Sequence, residues 1–332
     1  MSMADLLLLV MVGGLTAYAL LAGADFGAGV WDLVASGPDA SGQRRLINQS
    51  LGPVWEANHV WLIFVIVAMF SGFPTAFGVV GSTLELPLAL ALVGIVLRGS
   101  AYVYRAYGGG AAGPDHWWGR VFAVASTVTP FMLGIAGAAM ASGQGRPGDP
   151  LAPLRSPFGL VAGALTVAGT AFLAAVYLCR DAASGPATAH LIDGLRRRAI
   201  ASALVAGCLA AGLLPLLWID APTVADRFVA RGVPFVVVSA LGGLVALVLI
   251  WRRHYGLARL AAGLAVAGVV WGWAAAQYPD LVVGQVTVRA AAAPAANINA
   301  LLLAILVGMV LLLPALLLLF RVFAHPEAPD GK

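Results

Sequence analysis

Nine stretches of about 20 or more mainly apolar residues follow one another along this 332-residue chain. They constrain the fold more than any other feature, because a run of that length crosses a bilayer as a helix. Only 10% of the residues are charged, against about 25% in a soluble domain. The sequence therefore predicts an all-α polytopic membrane protein. The predicted spans are residues 5–34, 54–79, 82–104, 118–140, 157–180, 198–218, 233–252, 256–278 and 298–323.

The connection at residues 141–157 is rich in Gly and Pro and is predicted to be non-helical. Four of the predicted spans precede it and five follow it. The simplest architecture is two four-helix bundles plus one extra helix. We therefore predict a first bundle in residues 1–145, and a second bundle with the C-terminal helix in residues 146–332.

Arginine is unevenly distributed among the predicted loops and indicates the orientation of the chain. Odd-numbered connections carry more of it than even-numbered ones, so the positive-inside rule assigns them to the cytoplasm. The chain is then predicted to be a multi-pass protein of a bacterial cell (inner) membrane, with its N-terminus outside and its C-terminus in the cytoplasm. The net charge of +4 resides in these short loops and does not indicate nucleic acid binding. The arginines in the odd-numbered connections, or flanking them, are Arg44, Arg45, Arg98, Arg105, Arg120, Arg180, Arg196, Arg197, Arg198, Arg252, Arg253 and Arg259.

Three carboxylates, Asp25, Glu56 and Glu85, fall within apolar runs. An acidic side chain at mid-membrane depth costs about 2.5–3.5 kcal/mol, so such residues are usually functional. Asp25 and Glu56 belong to the cytoplasmic halves of the first two helices and are predicted to be neighbours in a proton relay. The alternative is that they are solvated at the interface or bonded to Arg, which is the interpretation we favour for Glu85. Three glycines around Asp25 are expected to let the second helix approach: Gly23, Gly27 and Gly29.

The second span carries Trp55, Asn58, His59 and Leu62 on one predicted helix face. Glu56 lies three residues before His59, so these two are adjacent on the helix. His59 could be a heme or metal ligand, but no second intramembrane His accompanies it. We favour a hydrogen-bonded His59 that joins Asp25 and Glu56 in the relay. The cysteines Cys179 and Cys208 match no metal or redox spacing and are interpreted as small apolar residues.

Three ordered runs in the first third of the chain carry a resemblance to a known family. They are GADFGAG in the first span, PVWEANHVWL with a later FP in the second, and LRGSAYVYR closing the third. In this order and spacing they resemble subunit II of the cytochrome bd-type quinol oxidases. The matching residues are Gly23, Asp25, Gly27, Gly29, Pro53, Trp55, Glu56, Asn58, Val60, Trp61, Leu62, Phe73, Pro74, Arg98, Gly99, Tyr102, Tyr104 and Arg105.

The resemblance implies a role in a respiratory quinol:oxygen oxidoreductase. The partner, subunit I, would hold hemes b and d, oxidise quinol and reduce oxygen to water. This chain would be a heme-free companion, with no metal site of its own, that supports subunit I and carries protons from the cytoplasm. The resemblance also allows a quinone bound by this chain and small accessory membrane subunits. Oxygen would enter from lipid, and Trp61 is a candidate to line its route.

The chain departs from the family pattern at three positions. Ala22 and Val103 stand where the family often has acidic residues, and His59 stands where Glu or Gln is frequent. The proton path then has fewer carboxylates or uses His59. Two other functions stay open. One is a proton-coupled secondary transporter, although no internal repeat or broken helix pair is evident. The other is a structural subunit in which Asp25 and Glu56 only hold helices together.

Overall fold

The computed structural model describes residues 2–107, 117–145 and 148–324, with side chains except at 51–57, 105–107 and 319–324. Within these ranges, eight helices are long and apolar enough to cross a membrane, and a bent pair brings the number to nine. The all-α membrane fold is confirmed. The long helices are α1 (Met3–Leu33), α2 (Ala40–Gly72), α4 (Glu85–Tyr107), α5 (Trp117–Ser142), α7 (Pro157–Ala183), α8 (Ile192–Asp220), α10 (Val233–Trp251), α11 (Tyr255–Gln277) and α13 (Ala295–Ala324).

Short elements connect the long helices. A two-stranded antiparallel hairpin of β1 (Asp280–Val282) and β2 (Val286–Thr287) is the small exception to the all-helical prediction. The connection at 141–157, predicted to be non-helical, contains a single helical turn at Ala152–Arg155. The prediction was wrong over these four residues. The short helical elements are α3 (Pro74–Thr83), α6 (Ala152–Arg155), α9 (Pro222–Arg227), α12 (Val288–Ala291), a 3₁₀-helix at Pro186–Leu191 and a π-helical turn at Phe228–Gly232.

The predicted second span, residues 54–79, is not one helix. Helix α2 ends at Gly72, and the chain bends by 116° into α3. Pro74 is the first residue of α3 and has no N–H to continue the helical ladder. The intervening Phe73 is 0% exposed and anchors the bend in the core. The carbonyl of Gly72, freed by the break, accepts a hydrogen bond of 2.9 Å from the backbone N–H of Ala293.

Helix α1 runs through the middle of the molecule and packs against α2, α5 and α7. The three glycines around Asp25 were predicted to allow the close approach of α2, and this prediction was wrong. A Cβ at Gly27 would overlap the backbone carbonyl of Thr170 on α7, and one at Gly23 would lie 2.9 Å from Leu173 of α7. A Cβ at Gly29 would overlap Ser126 of α5. The glycines therefore hold α1 against α5 and α7, and the proposed division at residue 145 stays a prediction.

Candidate functional site

The side chain of Asp25 lies at the junction of three helices. It is 1% exposed, and both carboxylate oxygens accept hydrogen bonds. Oδ2 accepts from Nδ2 of Asn58 on α2 at 2.9 Å, and Oδ1 accepts from Nη2 of Arg98 on α4. One carboxylate on α1 therefore joins α2 and α4.

Arg98 is held on every side. It is 4% exposed, and its Nε donates to Oγ of Ser126 on α5 at 2.8 Å. The rings of Phe26 and Phe122 lie 4.9 and 5.0 Å from its guanidinium carbon, a cation–π arrangement on two aromatic faces. The Asp25 charge balances the Arg98 charge, which makes burial of both tolerable. Our prediction that Arg98 flanks a cytoplasmic loop was therefore wrong, because the residue points into the helix core.

A cavity of about 10 Å³ adjoins this ion pair, close to the smallest volume that holds one water. His59 lines it and is half-buried. The Oδ1 atom of Asn58 is buried and has no hydrogen-bond partner among the described residues. Polar groups of α1, α2 and α4 therefore surround a space close to the size of one water molecule. Its lining consists of Tyr18, Ala22, Asp25, Phe26, Asn58, His59, Leu62, Ile95 and Arg98.

The predicted helix face of α2 is confirmed where side chains are described. Asn58, His59 and Leu62 all line the cavity. The side chains of Trp55, Glu56 and Arg105 lie outside the described residues, so their contacts, including the Asp25–Glu56 neighbourhood, stay predictions.

Trp61 belongs to the same region but packs elsewhere. It contacts the apolar cluster of Tyr18, Ala22 and Phe26, and its ring lies edge-on to Phe64 at 6.2 Å between centroids. Its indole N–H is buried without a hydrogen-bond partner in the described part of the chain. The role of Trp61 beside an oxygen route stays a prediction.

Sequence reasoning missed several members of this site. Tyr18, Ser126 and Phe122 were not singled out, because a hydroxyl or a ring in an apolar helix gives no signal by itself. Arg98 did give one. An Arg in the middle of a spanning helix needs an acidic partner nearby, and Asp25 was a candidate already named on the first helix.

Two observations bear on the cofactor predictions. Within the described ranges, no group of three His, Cys, Asp or Glu side chains is close enough to hold a metal ion. Ala22, where the family often has an acid, lines the cavity and is 2% exposed. Among the lining side chains that the structure describes, the cavity wall therefore carries one carboxylate, that of Asp25.

Comparison with known proteins decides the family. The sequence profile described as "Cytochrome bd terminal oxidase subunit II" matches residues 3–323. The chain belongs to this family. A solved structure, "The structure of bd oxidase from Geobacillus thermodenitrificans", contains a chain that matches with a TM-score of 0.78 and 25% identity. The match covers 98% of this chain and 100% of that chain.

Two curated relatives agree with the family assignment. Cytochrome bd ubiquinol oxidase subunit 2 of Bacillus subtilis (strain 168) is 28% identical over 137 residues, which is 40% of this chain. Cytochrome bd-I ubiquinol oxidase subunit 2 of Escherichia coli (strain K12) is 28% identical over 176 residues, which is 49% of this chain. The aligned segments span 39% and 45% of these relatives' lengths, less than half of each. The comparisons do not favour the proton-coupled secondary transporter.

Proposed function

We propose that this chain is the heme-free subunit of a cytochrome bd-type quinol oxidase and supplies protons from the cytoplasm to a heme-bearing partner. The observation that carries the proposal is the buried, charge-balanced cluster of Asp25, Arg98 and Asn58 beside a small polar cavity. The cluster stands in a chain whose family is that of subunit II.

The need for a proton path follows from the reaction. Reduction of oxygen to water consumes protons, and hydrocarbon conducts none, so a path requires titratable side chains and trapped water. Quinol and oxygen reach the partner subunit, which holds hemes b and d. The chain's own contribution is structural support and this path; a bound quinone and small accessory subunits are compatible with it.

We assign different roles to the proposed relay residues. Both oxygens of Asp25 accept hydrogen bonds from fixed donors, so Asp25 contributes a stationary negative charge and holds α2 in register. His59 lines the cavity one residue beyond Asn58, and Glu56 stands one helical turn before His59 on α2. We therefore assign proton exchange to Glu56 and His59, and to Asp25 the positioning of α2 beside the cavity.

Copurification tests the proposed assembly. A tagged form of this chain is isolated from its native membrane, and the visible spectrum and quinol-dependent oxygen consumption of the eluate are measured. We expect a heme-bearing second polypeptide in fixed proportion and oxygen consumption that requires quinol. An eluate without heme and without a second polypeptide would contradict the proposal.

A further inference from the structure

A second cavity, unrelated to the Asp25 cluster, lies open at the ends of α7 and α11. Its volume is about 430 Å³. Arg180 from the last turn of α7, and Arg253 and His254 from the link between α10 and α11, line it. All three side chains are exposed. Two permanent positive charges and an imidazole therefore surround a space large enough for a small anionic group.

Backbone groups contribute partial charges of both signs, negative from the end of α7 at Ala183 and Ser184 and positive from the start of α11. The first turn of α11, at Tyr255, Gly256 and Leu257, forms part of the wall. The N-cap residue, His254, makes no side-chain capping hydrogen bond, so N–H groups of this turn are open to an external acceptor. The N-terminus of a 23-residue helix also carries partial positive charge, which favours anions.

Tyr255 forms the floor of the cavity and joins it to the apolar core. It lines the cavity, is 6% exposed, and its hydroxyl has no hydrogen-bond partner in the described part of the chain. The hydroxyl oxygen is itself inaccessible to solvent, so Tyr255 packs into the core beneath the cavity and does not face the ligand space. A negative charge competes with an anionic ligand here, because Asp193 accepts a hydrogen bond of 3.1 Å from Arg253. That pair is exposed on both sides and is therefore weak.

An apolar stripe leads from the cavity along α11. Leu257 lines the cavity, and Leu260 and Leu264 continue at helical spacing; the three are 59%, 62% and 57% exposed. Trp251 is 73% exposed at the end of α10, and exposed Trp side chains at helix ends are typical of the membrane–water interface. A ligand with a phosphate head and hydrocarbon tails matches both parts of this surface.

We propose that this cavity binds the phosphate of an anionic phospholipid, with the acyl chains lying along the leucine stripe. Arg180 and Arg253 contact the phosphate oxygens, and the first-turn N–H groups of α11 complete the site. Phosphatidylcholine also carries a phosphate, but its choline cation meets the same arginines and is repelled. The site is therefore expected to select phosphatidylglycerol over phosphatidylcholine.

Native mass spectrometry of the purified, assembled protein tests the site. The protein is equilibrated with equal amounts of the two lipids, and the retained lipids are counted. The test variant is Arg180→Gln with Arg253→Asn; Asn suits the left-handed backbone of Arg253, whose φ is 63°. The matched control is Arg252→Gln, an exposed neighbour outside the cavity lining. A further sample contains inorganic phosphate as a competitor. Its concentration of about 10 mM is roughly the dissociation constant expected for weak binding of a single small anion.

We expect the wild-type protein to retain phosphatidylglycerol preferentially, with a loss of about 5-fold for each arginine removed from the cavity. The Arg252→Gln control should keep the wild-type preference. Equal retention of both lipids by the wild-type protein overturns the proposal, whether or not the double variant folds. An equal loss in the control also overturns it. Displacement by inorganic phosphate would assign the cavity to a soluble phosphate instead and contradict the lipid source.

Discussion

Asp25 on α1 and Arg98 on α4 form an ion pair in which the two side chains are 1% and 4% exposed. Asn58 on α2 and Ser126 on α5 complete the hydrogen bonds of this pair, so four helices meet at two opposite charges. The pair gives a physical reason why an acid and a base are both retained within apolar helices. It also fixes α2 beside α1, with His59 at the cavity between them.

Breaking this pair should be more harmful than removing it. Asp25→Asn alone leaves the buried Arg98 charge uncompensated, and Arg98→Met alone leaves the buried Asp25 charge uncompensated. Each single variant is expected to lower the free energy of unfolding by about 3–5 kcal/mol. The double variant Asp25→Asn with Arg98→Met should recover much of that loss. Heat unfolding of the purified complex, followed by circular dichroism, measures all three. Single variants as stable as the wild-type protein would show that the pair does not hold the helices together.

The approach of α1 to α7 depends on Gly27. The added methyl group of Gly27→Ala would overlap the carbonyl of Thr170, so the helices must separate, at about 1–3 kcal/mol for an overpacked site. Gly13→Ala, in the same helix with nothing within 4 Å of the new methyl, is the matched control. The control should be neutral or slightly stabilising, because Ala favours helix over Gly by about 1 kcal/mol. Equal unfolding temperatures for the two variants would contradict this packing.

Hydropathy was sufficient to locate the helices but not to predict how they bend or pair. Apolar length identified the spans, since lipid requires about 20 apolar residues whatever the neighbours are. The bend at Phe73 escaped because Pro74 can either kink a helix or begin a new one, and the core contact of Phe73 makes the choice. The glycines near Asp25 identified close packing but not their partners, because small residues allow any helix to approach.

The polar residues of the candidate site could be predicted from the sequence, but their partners on other helices could not. Asp25, Asn58 and His59 were evident as polar groups in apolar helices, and their spacing placed two of them on one face. Arg98 is 73 residues away from Asp25 in sequence, so their pairing depends on how α1 and α4 meet in the fold. The role of Ser126 depends on α5 and leaves no trace in the pattern of polar residues.

The heme content of the isolated chain follows from the lack of paired intramembrane histidines. We expect this subunit, purified without any partner, to show no heme absorbance, and heme to appear only when a second polypeptide copurifies. The visible spectrum of the folded subunit, compared with that of the complex at equal protein concentration, measures this. Heme in a fixed one-to-one ratio with the isolated subunit would show that the chain binds heme itself.

The orientation of the chain follows from the arginine distribution. A reporter fused after Lys332 should be active in the cytoplasm, because the odd-numbered connections are the more basic ones. Correcting Arg98 to a core residue leaves this expectation unchanged, since other arginines of those connections lie at helix ends. The test compares a reporter that is active only in the cytoplasm with one active only outside. Activity of the second alone would mean that the chain crosses the membrane a different number of times.

The central claim is that Glu56 passes protons toward the heme subunit, and one measurement tests it most directly. Glu56→Gln keeps the size and hydrogen bonding of the side chain but removes the exchangeable acid. We expect the assembled complex, with an intact heme spectrum, to lose quinol oxidase turnover and proton uptake on the order of 100-fold, the lower end of what a positioned acid–base group contributes. Glu56→Asp should keep more activity, and Glu85→Gln, at an exposed carboxylate, should match the wild-type rate. Normal turnover and proton uptake by a fully assembled Glu56→Gln complex would contradict the relay and leave Glu56 with a structural role.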